Sequence, residues 1–346
     1  MSNPATTPDR EQASRPSAAD RSPCPRRVLL LGATGTIGRA TLRALLQRGH
    51  AVVCLARPRA GDDAGVDRPV GATWRFANVT DPQSVARDGF CGERFDAVLS
   101  CMASRTGAPE DAWAIDDRAH RHVLAAARDA GVSHFMLLSA VCVQKPVLAF
   151  QHAKLAFETA LIASGLTYSI VRPTAYFKSL SGQVARLREG KPFLVFGDGT
   201  LTACKPVGDD DLGHYLADCL DNTSRHNRVL PIGGPGPAIT PRQQGEHLFA
   251  LLGRTPKFRR VPVALLDAIV LVLGALGRVS PALAAKAELA RIGRYYATES
   301  MLVLDPATGR YDEAATPSTG TETLFDYYAR LIKGEARAER GDHAVF

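Results

Sequence analysis

Gly32, Gly35 and Gly38 are spaced three positions apart in the run VLLLGATGTIG, residues 28–38, and that spacing suits the cradling of a pyrophosphate. Four apolar residues, 28–31, predict a short buried strand that leads straight into the glycines. Ile37, Leu42, Leu45 and Leu46 then mark the apolar side of a helix. Gly32 permits a tight turn, Gly35 lets a ligand come close to the backbone, and Gly38 lets helix and strand pack together. The free N–H groups and positive dipole end of the helix face the phosphates. Thr34, Thr36, Ile37 and Arg39 lie in or beside this loop and complete the candidate nucleotide contacts.

A second predicted strand, residues 51–56, ends in Arg57. The position about 20 residues beyond the glycines meets the adenosine ribose. An acid there would accept from a 2′-hydroxyl. Arg57 cannot accept, but it can pair with a 2′-phosphate, which points to NADP(H) rather than NAD(H). Asn78, just past a third predicted strand at 73–76, is a further candidate cofactor contact.

These residues need a frame that presents strand ends to one ligand. Near-continuous apolar strands at 96–101, 134–139 and 167–171 alternate with helical stretches at 111–130 and 149–164. Such alternation predicts an α/β protein with a Rossmann-type doubly wound parallel sheet. Beyond Pro173 the rhythm loosens into short strands and helices, which predicts a smaller, mainly helical substrate lobe. The expected division is a disordered tail at 1–25, a nucleotide-binding domain at 26–175, a substrate lobe at 176–335 that can return strands to the sheet, and a flexible tail at 336–346.

With 346 residues, 45% of them hydrophobic and 22% charged, the chain has the make-up of an ordinary globular enzyme. Its net charge is +7, but the basic residues read as scattered, and no basic run with interleaved aromatics argues for nucleic acid. Seven cysteines without a C-x-x-C pair read as reduced, mostly structural thiols, with no metal site. His120 and His122 are two apart on a predicted helix and point to different faces, so they are not a metal pair. Residues 1–25 lack the apolar core of a signal peptide, and their acids speak against a transit peptide.

The segment 261–276 is the most apolar of the chain, yet too short for a confident spanning helix. Its simplest reading is a buried helix of the second lobe; a pocket wall and a surface that leans on a membrane are the alternatives. The stretch 254–260 before it is basic and suited to anionic groups.

Ser139 closes the fifth predicted strand, and Lys154 lies on the next helix with Phe150 one turn earlier. The layout resembles the extended short-chain dehydrogenases/reductases. In that superfamily a Ser or Thr ends the strand, and a Tyr-x-x-x-Lys pair on the helix moves the proton and clamps the nicotinamide ribose. The tyrosine position is Phe150 here, which cannot transfer a proton. Lys154 keeps the role of ribose clamp and is itself a candidate proton source. Tyr176 and Lys178 fall where substrate and nicotinamide should meet, and either can be the donor or line the pocket. Phe150, Tyr176, Phe177 and Lys178 are the candidate substrate contacts; Lys154, Tyr176 and Ser139 are the candidate catalytic residues.

The lost tyrosine, Arg-Pro-Thr at 172–174 and the glycine triplet place the chain near the atypical branch that holds isoflavone reductases and NmrA-like proteins. Longer blocks narrow this: SCMASRTG at 100–107, LSAVCVQKP at 138–146, FQHAKL at 150–155, SIVRPTAYFKSL at 169–180, FGDG at 196–199, ACKP at 203–206 and RYYATESM at 294–301. Together they resemble the single-subunit, NADPH-dependent divinyl chlorophyllide 8-vinyl-reductases, whose helix pair is also Phe-x-x-x-Lys. The resemblance implies an NADPH-dependent oxidoreductase of chlorophyll or bacteriochlorophyll biosynthesis that reduces a vinyl group to ethyl. Hydride to a vinyl carbon conjugated to a tetrapyrrole forms no alkoxide, so a tyrosine donor is not obligatory. Lys145, Lys178 and Lys205 are candidates to meet the pigment's carboxylate. The competing reading is an NmrA-like NADP(H) sensor without catalysis. The remaining expectations are a bacterial cytoplasmic protein, a monomer, and a contact at the periphery of a photosynthetic membrane.

Overall fold

The computed structural model describes residues 24–58 and 69–336. Nearly all of the tails expected at 1–25 and 336–346, and most of the loop at 59–71, lie outside them. The main strands are β1 (Arg27–Leu31), β2 (Ala51–Ala56), β3 (Ala72–Phe76), β4 (Ala97–Ser100), β5 (His134–Leu138), β6 (Thr167–Pro173), β7 (Phe193–Phe196), β8 (Arg228–Ile232) and β9 (Phe258–Val261). Seven of them form one sheet in the order β3-β2-β1-β4-β5-β6-β8, and every neighbouring pair is parallel. The expected doubly wound α/β architecture is therefore present. Strand β8, from the region expected to be the second lobe, pairs with β6 as the last strand.

Period-two alternation explains the two sides of the sheet. Leu29, Leu31, Val53, Leu55 and Phe135 face one layer of helices, while Val28, Leu30, Cys54, Leu99 and Met136 face the other. Burial on both faces is why these strands read as unbroken apolar runs. The chief helices are α1 (Thr36–Gln47), α2 (His120–Asp129), α3 (Ala149–Ile162), α4 (Asp209–Asp218), α5 (Pro241–Leu251), α6 (Val263–Leu276), α7 (Pro281–Thr298) and α8 (Leu324–Lys333). Helices α1 and α4 pack so closely that a Cβ on Gly213 would lie 2.6 Å from the backbone of Ala40.

The helix expected at 111–130 starts at Pro109–Ala112 and passes through a π-wound stretch, Trp113–Ala119, before α2. A π-turn inserts a residue into the helical register, and such bulges recur at functional sites. A third core, with Phe193, Leu248, Tyr295 and Tyr328 among its members, sits beside the sheet. It is roofed by a small parallel pair, β7 with β9. The hairpin α6–α7 lies at its margin, and there one expectation fails. Helix α6, expected to be buried, has no buried residue.

Candidate active site

The glycine loop is built as its spacing requires. Gly32 has φ +76°, and a Cβ on it would come within 2.6 Å of the Cys101 carbonyl on the next strand's end. A Cβ on Gly38 would lie 2.0 Å from the Gly32 carbonyl oxygen. At Gly35 the nearest atom to such a Cβ is that oxygen, at 3.4 Å, and Gly35 is exposed. Two glycines thus serve close packing, and the third leaves the loop open toward solvent. Gly35 caps α1 with no side-chain hydrogen bond, and no acid stands in the first turn. The uncapped N–H groups and the helix dipole therefore face an open cradle suited to phosphates. Lys178 supplies a cation there, donating from Nζ to the Thr36 hydroxyl at 3.0 Å. Arg39 donates to the carbonyl of Thr34.

Lys178, expected to meet substrate, is thus tied to the cofactor loop. The carboxyl of Asp209 is pushed up to about 6, mainly by burial, while the charges of Lys178, Arg39 and Arg43 oppose the rise. Arg57 lies beyond the end of β2 and acts electrostatically on Asp111. Burial works against ionisation of that carboxyl. Bonds from Thr106 and Arg105, with the charge of Arg57, still hold it below its ordinary value. Asn78 is exposed past β3; its side-chain oxygen accepts from the Thr80 N–H and hydroxyl, which shapes the turn.

Lys154 sits on α3, and the start of that helix is firmly held. Gln151 is fully buried; its oxygen accepts from the N–H groups of Val147 and Leu148, and its amide donates to the Cys142 carbonyl at 3.1 Å. Lys154 donates from Nζ to Asp116 Oδ1 at 2.9 Å. Asp116 lies within the π-wound stretch and is buried; its other carboxylate oxygen has no hydrogen-bond partner. A buried carboxylate with a spare acceptor is costly unless something donates to it. Nearby, His120 is clamped between the Ser100 hydroxyl and the Ile115 carbonyl, both at 2.8 Å. Burial lowers its pKa to about 4, so the ring is neutral at pH 7.

Two phenols lie near Cys142, on whose titration Lys154 also acts. Tyr176 follows β6 and is half-buried; Tyr296 comes from α7, with its hydroxyl 3.8 Å from the Cys142 sulfur. Burial pushes the Tyr176 phenol upward; Tyr296, although its residue is 39% exposed, is pushed the same way, with desolvation of its hydroxyl as the main cause and Tyr176 a lesser one. Each therefore carries its proton at neutral pH and can serve as a donor. Phe150 is half-buried against the third core.

Two expected site residues are placed elsewhere. The Ser139 hydroxyl donates to Glu158, which is also paired with Arg172, so it belongs to a buried ion-pair cluster. Phe177 is 3% exposed and stacks near Tyr327, so it supports the site from within the core. Of the lysines offered for the pigment's carboxylate, Lys205 is buried and donates to the Thr316 carbonyl, while Lys145 pairs with Glu299. Asp116 and Tyr296 escaped the sequence reading. Asp116 had left a signal, since it falls four residues after Ala112 on the apolar stripe of its helix. Tyr296 had left none that says which site it meets. Among the described residues no group of acids, histidines and cysteines is arranged to hold a metal.

Residues 32–223 match a family model described as NAD(P)H-binding. An NADPH-dependent quinone oxidoreductase of Escherichia coli, solved with NADPH, superposes with a TM-score of 0.62 at 19% identity, covering 88% of this chain and 99% of that one. AtPrR2, solved with NADP+ and pinoresinol, gives 0.63 at 17% identity, over 88% of this chain and 98% of that one. Among curated relatives, the chloroplastic divinyl chlorophyllide a 8-vinyl-reductase of Oryza sativa subsp. indica is 50% identical over 92% of this chain and 82% of its own length. That of Arabidopsis thaliana is 46% identical over 96% and 83%. With identity at that level running over more than nine-tenths of its length, the chain belongs to the divinyl chlorophyllide a 8-vinyl-reductase family.

Proposed function

We propose that this chain reduces the 8-vinyl group of a divinyl chlorophyllide or protochlorophyllide to ethyl, using NADPH, in chlorophyll or bacteriochlorophyll biosynthesis. The observation that carries it is the pairing of an intact, carboxylate-held Lys154 with Phe150 one helical turn earlier, in a chain 45–50% identical to enzymes of that name. A carbonyl reductase needs a donor beside the forming alkoxide. A conjugated vinyl group needs a hydride donor held against a flat apolar ring, and the macrocycle spreads the charge.

NADPH supplies the hydride when bound. The protein's part is placement. The Gly32–Gly35–Gly38 loop and Lys178 would receive its phosphates, Arg57 would pair with its 2′-phosphate, and Lys154, fixed by Asp116, would hold its nicotinamide ribose. Phe150 offers an apolar surface to the ring. Tyr176 and Tyr296, whose phenols carry their protons at neutral pH, are the candidates to deliver the proton that completes the ethyl group. The protein works as a monomer in a bacterial cytoplasm, at the periphery of a photosynthetic membrane. No helix among the described residues is long and apolar enough to cross one.

An anaerobic assay with divinyl chlorophyllide a tests this. Conversion to the monovinyl pigment with NADPH, and at least 50-fold slower with NADH, is the expected result. Tight NADPH binding without any pigment turnover would instead favour the sensor reading.

A further inference from the structure

We infer that the α6–α7 hairpin is a docking surface for an anionic lipid bilayer. Helix α6 reads VALLDAIVLVLGAL, apolar almost all the way round. A helix of that kind belongs in a core or against another apolar phase. Yet Leu265 is 52% exposed, Leu271 74%, Val272 56% and, just past the helix, Val279 82%. From α7, Leu289 adds to the same exposed apolar area. At 14 residues α6 is about 21 Å long, short of the ~30 Å hydrocarbon core, so it can lie in the interface but not span it.

Charge selects the occupant. Residues 254–298 hold eight Lys or Arg and two acids, a net +6 within a chain whose total is +7. The positive charge that read as scattered is gathered on this element. Both acids are already neutralised: Asp267 by Arg294 across the hairpin, Glu288 by Arg291. Arg259 and Arg260 lead into α6, Arg278 follows it, and Lys286 stands on α7; all four are exposed. Apolar area flanked by cations matches a layer of acyl chains under anionic headgroups. A second copy of the chain would bring the same +6 against itself, which argues against self-association.

The inner side of the hairpin is part of the site. Glu288 accepts from the Ala149 N–H at the start of α3, and α7 carries Tyr295 and Tyr296 to Cys142. One helix therefore links the lipid-facing surface to the reaction site.

Sedimentation of the full chain with vesicles tests this, without pigment or NADPH, so its outcome is independent of the proposed reaction. Binding to phosphatidylcholine vesicles containing 30% phosphatidylglycerol should exceed binding to pure phosphatidylcholine by at least 10-fold, and should fall as salt is raised from 50 to 500 mM. The double variant Leu271→Asp/Val272→Asp should lose at least 10-fold in binding while its circular dichroism and NADPH affinity stay unchanged. Arg259→Gln/Arg260→Gln should lose the preference for the anionic lipid. Failure of the parent to bind anionic vesicles at 50 mM salt overturns the inference. So does a Leu271→Asp/Val272→Asp protein that binds as well as the parent, or light scattering that shows a stable dimer dissolved by those two changes.

Discussion

The two most apolar stretches of this chain meet opposite fates. Residues 28–31 of β1 are wholly enclosed between two helical layers, whereas α6, at least as apolar, has no buried residue. The difference is one of neighbours. Strand β1 has β2 and β4 on its edges and helices over both faces, so each side chain has a complementary surface within the same chain. Helix α6 packs chiefly on α7 and then runs out of protein. Apolar composition states what a segment would gain by leaving water, about 25 cal/mol per Å²; it does not say which surface receives it.

That contrast can be broken or sharpened by experiment. The largest effect is expected in the enclosed half. Gly38→Val places atoms where the Gly32 carbonyl already stands, at 2.0 Å from the Cβ position. It should abolish NADPH binding and lower the melting temperature by more than 10 °C, which differential scanning fluorimetry with and without NADPH reads directly. A variant that binds NADPH normally would show that the loop has slack.

Next comes acid stability. His120 is buried and neutral, with its pKa lowered from 6.5 to about 4, chiefly by burial. His134 is lowered to about 3, for the same main reason. The unfolded chain takes up these protons first, so stability is fully present above about pH 6.5 and is lost as pH falls toward 4. Each ring can cost up to about 3 kcal/mol over that window. Urea midpoints should drop between pH 7 and pH 5, and His120→Gln should reduce the slope. A parent whose midpoint is constant over that range would contradict the enclosed-ring account.

Third, Lys154→Ala should lower kcat by about 100-fold, an effect of about 2.7 kcal/mol. Asp116→Asn keeps the lysine but loosens its hold, and should lower kcat by about 10-fold with a smaller rise in the KM for NADPH. Equal losses in the two variants would mean that Asp116 does more than position. Fourth, Tyr296→Phe and Tyr176→Phe separate the two phenols: the proton donor should show a loss of about 10-fold or more in kcat, with the KM for pigment nearly unchanged. An equal, small loss in both would point to delivery from water. Smallest is Leu271→Asp in the open region. It should change stability by no more than about 0.5 kcal/mol, because an exposed side chain has little protein contact to lose. A loss of 2 kcal/mol or more in urea unfolding would show that α6 is covered by this chain after all.

Much of this molecule is written in local pattern. The strand–glycine–helix order, the helical spacing from Phe150 to Lys154, and the unbroken apolar strands that need cover on both faces depend on residues a few positions apart. Backbone sterics and side-chain period decide such features. Other features are settled by chains meeting at long range. Lys154 finds Asp116 across 38 positions, and Lys178 finds Thr36 across 142. Tyr296 reaches Cys142 across 154. Ser139 and Phe177 sit at the expected points in sequence, yet one is engaged by Glu158 and the other is sealed in the third core. The charge of 254–298 was countable from the sequence, but its gathering around an exposed apolar helix was not. The sequence alone determined the nucleotide fold, its loop and the lysine on its helix, because short-range geometry specifies them. Which buried carboxylate holds that lysine, which phenol reaches Cys142 and which apolar helix stays outside were decided only by the tertiary structure, because each depends on the surface that packing brings opposite.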